Sequence, residues 1–238
     1  MAYANTLLPP ARQAPRRAPD LAADLTAFIG SERFPCAGAR SALALDQVTV
    51  AEAGDLLSAD SDRQIYQALH AFGSALDPDQ MPFKTFVCGF RRGAVMDEKT
   101  FETALWGLLQ RLHDRDRARS VAWASHVSSD PASPEFNISI NGVPYFVIGL
   151  HPGASRAARR FCRPALVFNS HDQFEQLRAD GRYQALQKVI RQRELDVNGS
   201  INPMLGTHGQ RNQAPQYSGR HVGDDWTCPF KYEPPMAD

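Results

Sequence analysis

The chain has 238 residues, 26 basic and 26 acidic side chains, a formal net charge of zero and 43% hydrophobic content. That length suits one globular domain with a substantial core, and the balanced charge argues against a general nucleic-acid binder, which carries a basic excess. No apolar run reaches membrane-span length, the N-terminus has prolines and arginines where a signal peptide has its apolar core, and four cysteines without a CxxC pair read as free thiols. The expectation is a cytoplasmic protein.

Residues 1–20 are rich in Pro, Ala and Arg and read as a flexible arm, of the kind that also packs on a partner subunit in a homodimer. Residues 21–238 read as a single domain. Residues 21–30 form a short amphipathic helix ended by Gly30. Phe34-Pro35-Cys36 opens a turn into a second helix. There the amides of Gly38 and Ala39 could face the Cys36 sulfur and favour the thiolate. The alternative is a small buried apolar cysteine. A strand is expected near residues 47–50. A helix follows over 61–76, with Ile65, Leu69, Phe72 and Leu76 on one face, and Asp77-Pro78-Asp79 turns the chain.

Residues 83–90 read as a strand. Asp97 caps the clearest helix, roughly 98–114, whose core face is Phe101, Leu105, Leu108, Leu109 and Leu112. His113 near its end has a structural reading. Residues 136–140 and 143–150 flank Asn141-Gly142, a strong hairpin signal because both turn positions accept positive φ. The second strand delivers His151. Pro152-Gly153 breaks it, and Ser155 is placed to cap a basic helix. On that helix Arg156, Arg160 and Arg163 fall at i, i+4 and i+7, with Arg159 beside them. Four arginines without an acid until Asp172 form either a solvated face or a clamp for carboxylates or phosphates. Residues 164–168 make another strand whose exit is Asn169-Ser170-His171. Helix then runs from 174 to about 196, interrupted near Asp180-Gly181. From Asn198 onward the chain is Gly-, Pro- and Asn-rich, without a period, yet carries Tyr217, Trp226, Cys228 and Phe230. An extended segment wrapping the core is expected. The fold class is α+β: a small, mainly antiparallel sheet with packed helices and a long irregular C-terminal wrap.

Walker, GxGxxG, HExxH, zinc-finger and GxSxG patterns are all absent. Cys36 with His151 or His171 could form a nucleophile pair. His151 and His171 could join a carboxylate in a non-haem iron site. Against both stands the plain reading of strand-end histidines as hydrogen-bonded structural groups.

Three blocks together resemble the YqcI/YcgG family. They are Phe34-Pro35-Cys36; Gly149–Pro152 with Ser155–Phe161 and Phe168–Glu175; and Gly199–Leu205 leading to Gln216–Arg220 and Trp226–Phe230. The resemblance implies a haem-dependent N-oxygenase that hydroxylates a nitrogen of an amino-acid-like substrate, such as the guanidine of arginine or an analogue, in natural-product biosynthesis. It implies haem b, dioxygen as co-substrate and an external electron donor such as a reductase or ferredoxin. On that reading Arg156, Arg159, Arg160 and Arg163 would pair with the haem propionates. Cys36 is the first candidate for the axial iron ligand, since a thiolate pushes electron density to iron best. His151 is the second. With Cys36 as the ligand, His151 or His171 would bind a propionate or relay protons. Glu135, Glu175, Asp224 and Asp225 are the carboxylates open to a cationic substrate. A haem-binding sensor or carrier without turnover, or a non-haem cysteine or iron enzyme, are the alternatives.

Overall fold

A computed structural model of the chain describes residues 20–32, 34–77, 83–200 and 212–236. The element order is α1 (Leu21–Gly30), α2 (Ala37–Ala44), β1 (Val48–Glu52), α3 (Asp62–Ser74), β2 (Thr85–Gly89), α4 (Glu98–Arg117), β3 (Ile138–Ile140), β4 (Val143–Leu150), β5 (Ala165–Ser170), α5 (His171–Ala179) and α6 (Arg182–Asn198). The five strands form one sheet in the order β1-β2-β5-β4-β3. Only β1 and β2 are parallel; the other three pairings are antiparallel. The α+β class expected from the pattern is the one observed. The expected arm at residues 1–20, the turn at Asp77-Pro78-Asp79 and the stretch 201–211 fall wholly or partly outside the described residues.

Local chemistry explains the element boundaries. Asp97 caps α4 by accepting from the Thr100 amide at 2.7 Å. Asn141 and Gly142 adopt φ of 56° and 75° between β3 and β4, as a tight hairpin turn requires. Gly181, at φ 70°, divides α5 from α6. Alternation then sorts the strand side chains between two cores. Phe86, Cys88, Leu166, Phe168, Tyr145 and Val147 pack with α3 and α4. Val87, Ala165, Ile148 and Leu150 pack with Leu21, Leu25 and Ile29 of α1 and with Phe34 and Phe161. Gly149 lets α4 come close: a Cβ there would lie 2.5 Å from the Phe101 ring and 2.8 Å from Leu105.

The basic helix expected after His151 does not form. Only one 3-10 turn, Ala157–Arg159, lies between β4 and β5. Ser155 caps nothing there; its amide and hydroxyl both donate to Glu98 Oε1, at 2.9 and 2.8 Å. The arginines of this stretch instead donate to carboxylates and backbone carbonyls in several directions, which holds the chain out of a continuous helix.

Arg159 instead ties the fold together. Its Nη1 donates to the Gly149 carbonyl at 3.0 Å and the Tyr217 carbonyl at 3.4 Å, and Nη2 donates to the Gln216 carbonyl at 3.0 Å. The Gly149 amide donates to the same Tyr217 carbonyl at 2.7 Å. Residues 216–217 are thereby fixed along β4 beyond the reach of short β3. Ser218 and Arg220 continue this attachment onto Glu102 of α4. Further on, the Gln110 side chain bonds the Lys231 backbone, and His113 bonds that of Glu233.

Two predictions follow from these bonds. Arg159→Met would leave the Gly149 and Gln216 carbonyls short of a donor, so chemical denaturation should show a loss of about 2–4 kcal/mol. Arg159→Lys should recover only part, because an ammonium has no fork; a loss below about 0.5 kcal/mol for Met would contradict the tie. The second prediction concerns Asp116 of α4, which is buried and accepts from the Tyr66 hydroxyl at 2.5 Å and the Asn141 amide at 2.8 Å. Burial outweighs both bonds and pushes its pKa up from 3.8 to about 6. The folded state therefore holds this proton more tightly than the unfolded chain. Asp116 contributes stability at low pH and loses it as pH rises through about 6. Between pH 4.5 and 6.5, about two units spanning that window, wild type should lose more stability than Asp116→Asn. Equal slopes in parallel denaturation series would contradict this.

Candidate functional site

The end of β4 gathers most of the residues singled out from the sequence. His151 follows the last residue of β4 and is 1% exposed. Its amide donates to the Arg159 carbonyl at 3.0 Å. Its ring lies flat on Phe101, centroids 4.2 Å apart and planes within 16°. Nδ1 has no hydrogen-bond partner among the described residues. Burial holds the His151 pKa below its ordinary 6.5, against the pull of the Glu98 carboxylate and the Met96 carbonyl. The imidazole is thus held toward its neutral form, with the Met96 carbonyl beside the ring and Nδ1 outside hydrogen-bond geometry. Gly153 keeps this wall close: a Cβ there would stand 2.3 Å from the Met96 carbonyl oxygen and 3.4 Å from His151 Nδ1.

Cys36 sits where the sequence put it, at the start of α2, with its sulfur accepting from the Ala39 amide at 3.5 Å. The expected thiolate is not favoured. Burial pushes the thiol pKa up and outweighs the Ala39 and Gly38 amides and the Arg159 charge; Glu194 adds to the rise. Cys36 packs beside the apolar group of Leu150 and Phe161. The Arg159 charge acts on both Cys36 and His151. Arg159 itself is pulled down to about 10 by burial and stays protonated at neutral pH.

The four arginines do not share a face. Arg156 pairs with Glu194 at 3.1 Å and reaches the Ser200 carbonyl at 3.3 Å. Arg159 serves the backbone carbonyls already described. Arg160 donates to the carbonyls of Ala154 and Ser155, at 2.9 and 2.7 Å. Arg163, 4% exposed, pairs with Asp24 at 2.6 Å and Glu52 at 3.3 Å. The acceptors that this arginine row finds are carboxylates and neutral backbone carbonyls of the same chain.

His171 lies at the opposite end of the sheet. In the antiparallel β4–β5 pair, Leu150 faces Ala165 while Tyr145 faces Ser170. Five residue steps separate those ends, roughly 17 Å. His151 and His171 therefore cannot ligate one iron, and the two-histidine site is overturned. His171 pairs with Glu175 at 3.3 Å, and its ring centroid is 6.1 Å from that of His126, which pairs with Asp172 at 2.7 Å. Glu175 is further engaged by Arg178. Among the described residues no group of three or more His, Cys, Asp or Glu side chains is arranged to hold a metal ion. Glu98, Phe101 and Glu194 border the β4 end and were not among the candidates. Glu98 and Phe101 read only as first-turn and core residues of α4, and no sequence signal links either to residue 151.

The YqcI/YcgG family model matches residues 25–231. The chain is 25% identical to YcgG of Bacillus subtilis (strain 168) over 213 residues, covering 85% of this chain and 82% of that protein. It is 28% identical to YqcI of the same organism over 210 residues, covering 83% and 80%. No solved structure matches. Among the described residues no helix is long and apolar enough to cross a membrane. With the family model spanning the sheet, its covering helices and the whole β4 end, the chain belongs to the YqcI/YcgG family.

Proposed function

We propose that this protein is a haem-dependent monooxygenase that hydroxylates a nitrogen of an amino-acid-like substrate, using dioxygen and external electrons. The observation that carries the reading is His151, a neutral imidazole, 1% exposed, with Nδ1 unpartnered. A buried polar atom without a partner costs about 1–3 kcal/mol and calls for an explanation. An imidazole that stays unprotonated is what an iron centre takes as an axial ligand. The three-block resemblance points to the same cofactor, which when bound would supply iron for dioxygen activation.

The donor chemistry fits at His151 and less well at Cys36, whose thiol is raised by burial. That reverses the order expected from electron push alone. It does not fit at the four arginines, since each already serves an acceptor within the chain. Haem carboxylates would need other donors or would displace one of these bonds. Arg159 aligns His151 through its own carbonyl, and Phe101 fixes the ring plane. A cysteine hydrolase finds less support, because among the described residues no imidazole is bonded to Cys36. His171, paired with Glu175 at the far end of the sheet, has no part in this centre.

Spectra of the haem-supplemented protein, reduced and under carbon monoxide, test the reading. Wild type should show a Soret band with a histidine-type carbon monoxide complex. His151→Ala should weaken haem binding by at least about tenfold, and Cys36→Ala should leave the band in place. A red-shifted carbon monoxide band lost only in Cys36→Ala would move the ligand to the thiolate. No Soret band in wild type would overturn the haem reading. An oxidised amine or guanidine product, formed with dioxygen and a reductant, separates an oxygenase from a haem carrier.

A further inference from the structure

Helices α2 and α6 close on each other incompletely. Ala42 is the buried residue of α2, and of the seventeen residues of α6 only Glu194 is buried. Between them and the end of α1 lies a cleft of about 470 Å³, open to solvent. That volume falls in the range that holds small organic ligands. Its wall is apolar at Ile29, Ala37 and Leu43 and polar at Arg40, Ser41 and Arg193. No carboxylate lines it among the described residues.

The two arginines differ from the four after His151. Arg193 has no ion pair or hydrogen bond with a described residue. Arg40 gives Nη1 to the Ser31 carbonyl at 3.0 Å, which holds the guanidinium at the end of α1 while its other nitrogens have no described partner. Both side chains are half-buried, so their charge is less screened than that of a surface arginine. Two guanidinium groups from different helices, with a hydroxyl near and an apolar floor, complement an anionic head on a short hydrocarbon body.

We infer that the α1–α2–α6 cleft binds a small organic anion, a carboxylate or phosphate ester with a short aliphatic tail, its head on Arg40 and Arg193 and its tail on Ile29 and Leu43. The site is separate from the haem reading, which neither arginine enters. Octanoate and octyl phosphate stand for the two possible heads, sodium phosphate for a head alone and 1-octanol for a tail alone. Titrated into the full chain and followed by backbone amide shifts, octanoate or octyl phosphate should saturate with shifts centred on residues 37–44. The tighter of the two identifies the head. Arg193→Glu and Arg40→Glu should each weaken that binding by at least about tenfold, as loss of a charge-assisted bond implies. Lys188→Glu, an exposed charge on the same helix outside the cleft, should leave it unchanged. The inference is overturned by no saturation up to about 5 mM, by equal binding of octanol or of inorganic phosphate, or by binding that ignores both arginine substitutions.

Discussion

The guanidinium of Arg159 is the constraint on which the rest depends. It is half-buried, charged, and bonded to carbonyls of two distant segments, Gly149 on β4 and Gln216–Tyr217 near the C-terminus. Withdrawing a charge from water is costly unless its donors are satisfied, and here they are satisfied by carbonyls of both segments. The arrangement fixes the end of β4, docks residues 216–217 against it, and sets the backbone that receives the His151 amide. It also places a positive charge near both Cys36 and His151, lowering the pKa of each. Structure and candidate chemistry meet at one side chain.

Burial decides the character of the groups around it. At Cys36 two helix-start amides and a guanidinium all favour the thiolate, and desolvation still outweighs them. At His151 desolvation opposes the charged form in the same way, and there it keeps the imidazole neutral, the form that the proposed function requires. The same physics thus demotes the cysteine and promotes the histidine. The spatial division is equally consequential. An antiparallel pair carries its two C-terminal ends in opposite directions, so His151 and His171, each following a strand, sit at opposite edges of the sheet.

Much of the architecture was legible in the sequence. Alternation and Asn141-Gly142 announced the hairpin, Asp97 and the apolar face beginning at Phe101 announced α4, and Gly181 marked the break between α5 and α6. The position of Cys36 at a helix start was legible too. The arginine row was not. Its partners Asp24, Glu52, Glu194, Gln216 and Tyr217 lie from 38 to 139 residues away, beside the nearer Gly149, Ala154 and Ser155. Local charge pattern carries no information about such pairs, and an i, i+4, i+7 spacing means nothing where the chain makes only a 3-10 turn. The pairing of β4 with β5, which separates the histidines, is likewise a long-range fact.

The proposed function stands on His151 being neutral and enclosed. Long-range proton–nitrogen correlation spectra, recorded as the cofactor-free protein is titrated, read the protonation of each of its seven histidines separately. His151 should stay neutral to a pH below its ordinary 6.5, in one tautomer, with ring nitrogens insensitive to buffer composition. Protonation at or above that value would show that solvent or a carboxylate reaches the ring, and would contradict the preformed site at the end of β4.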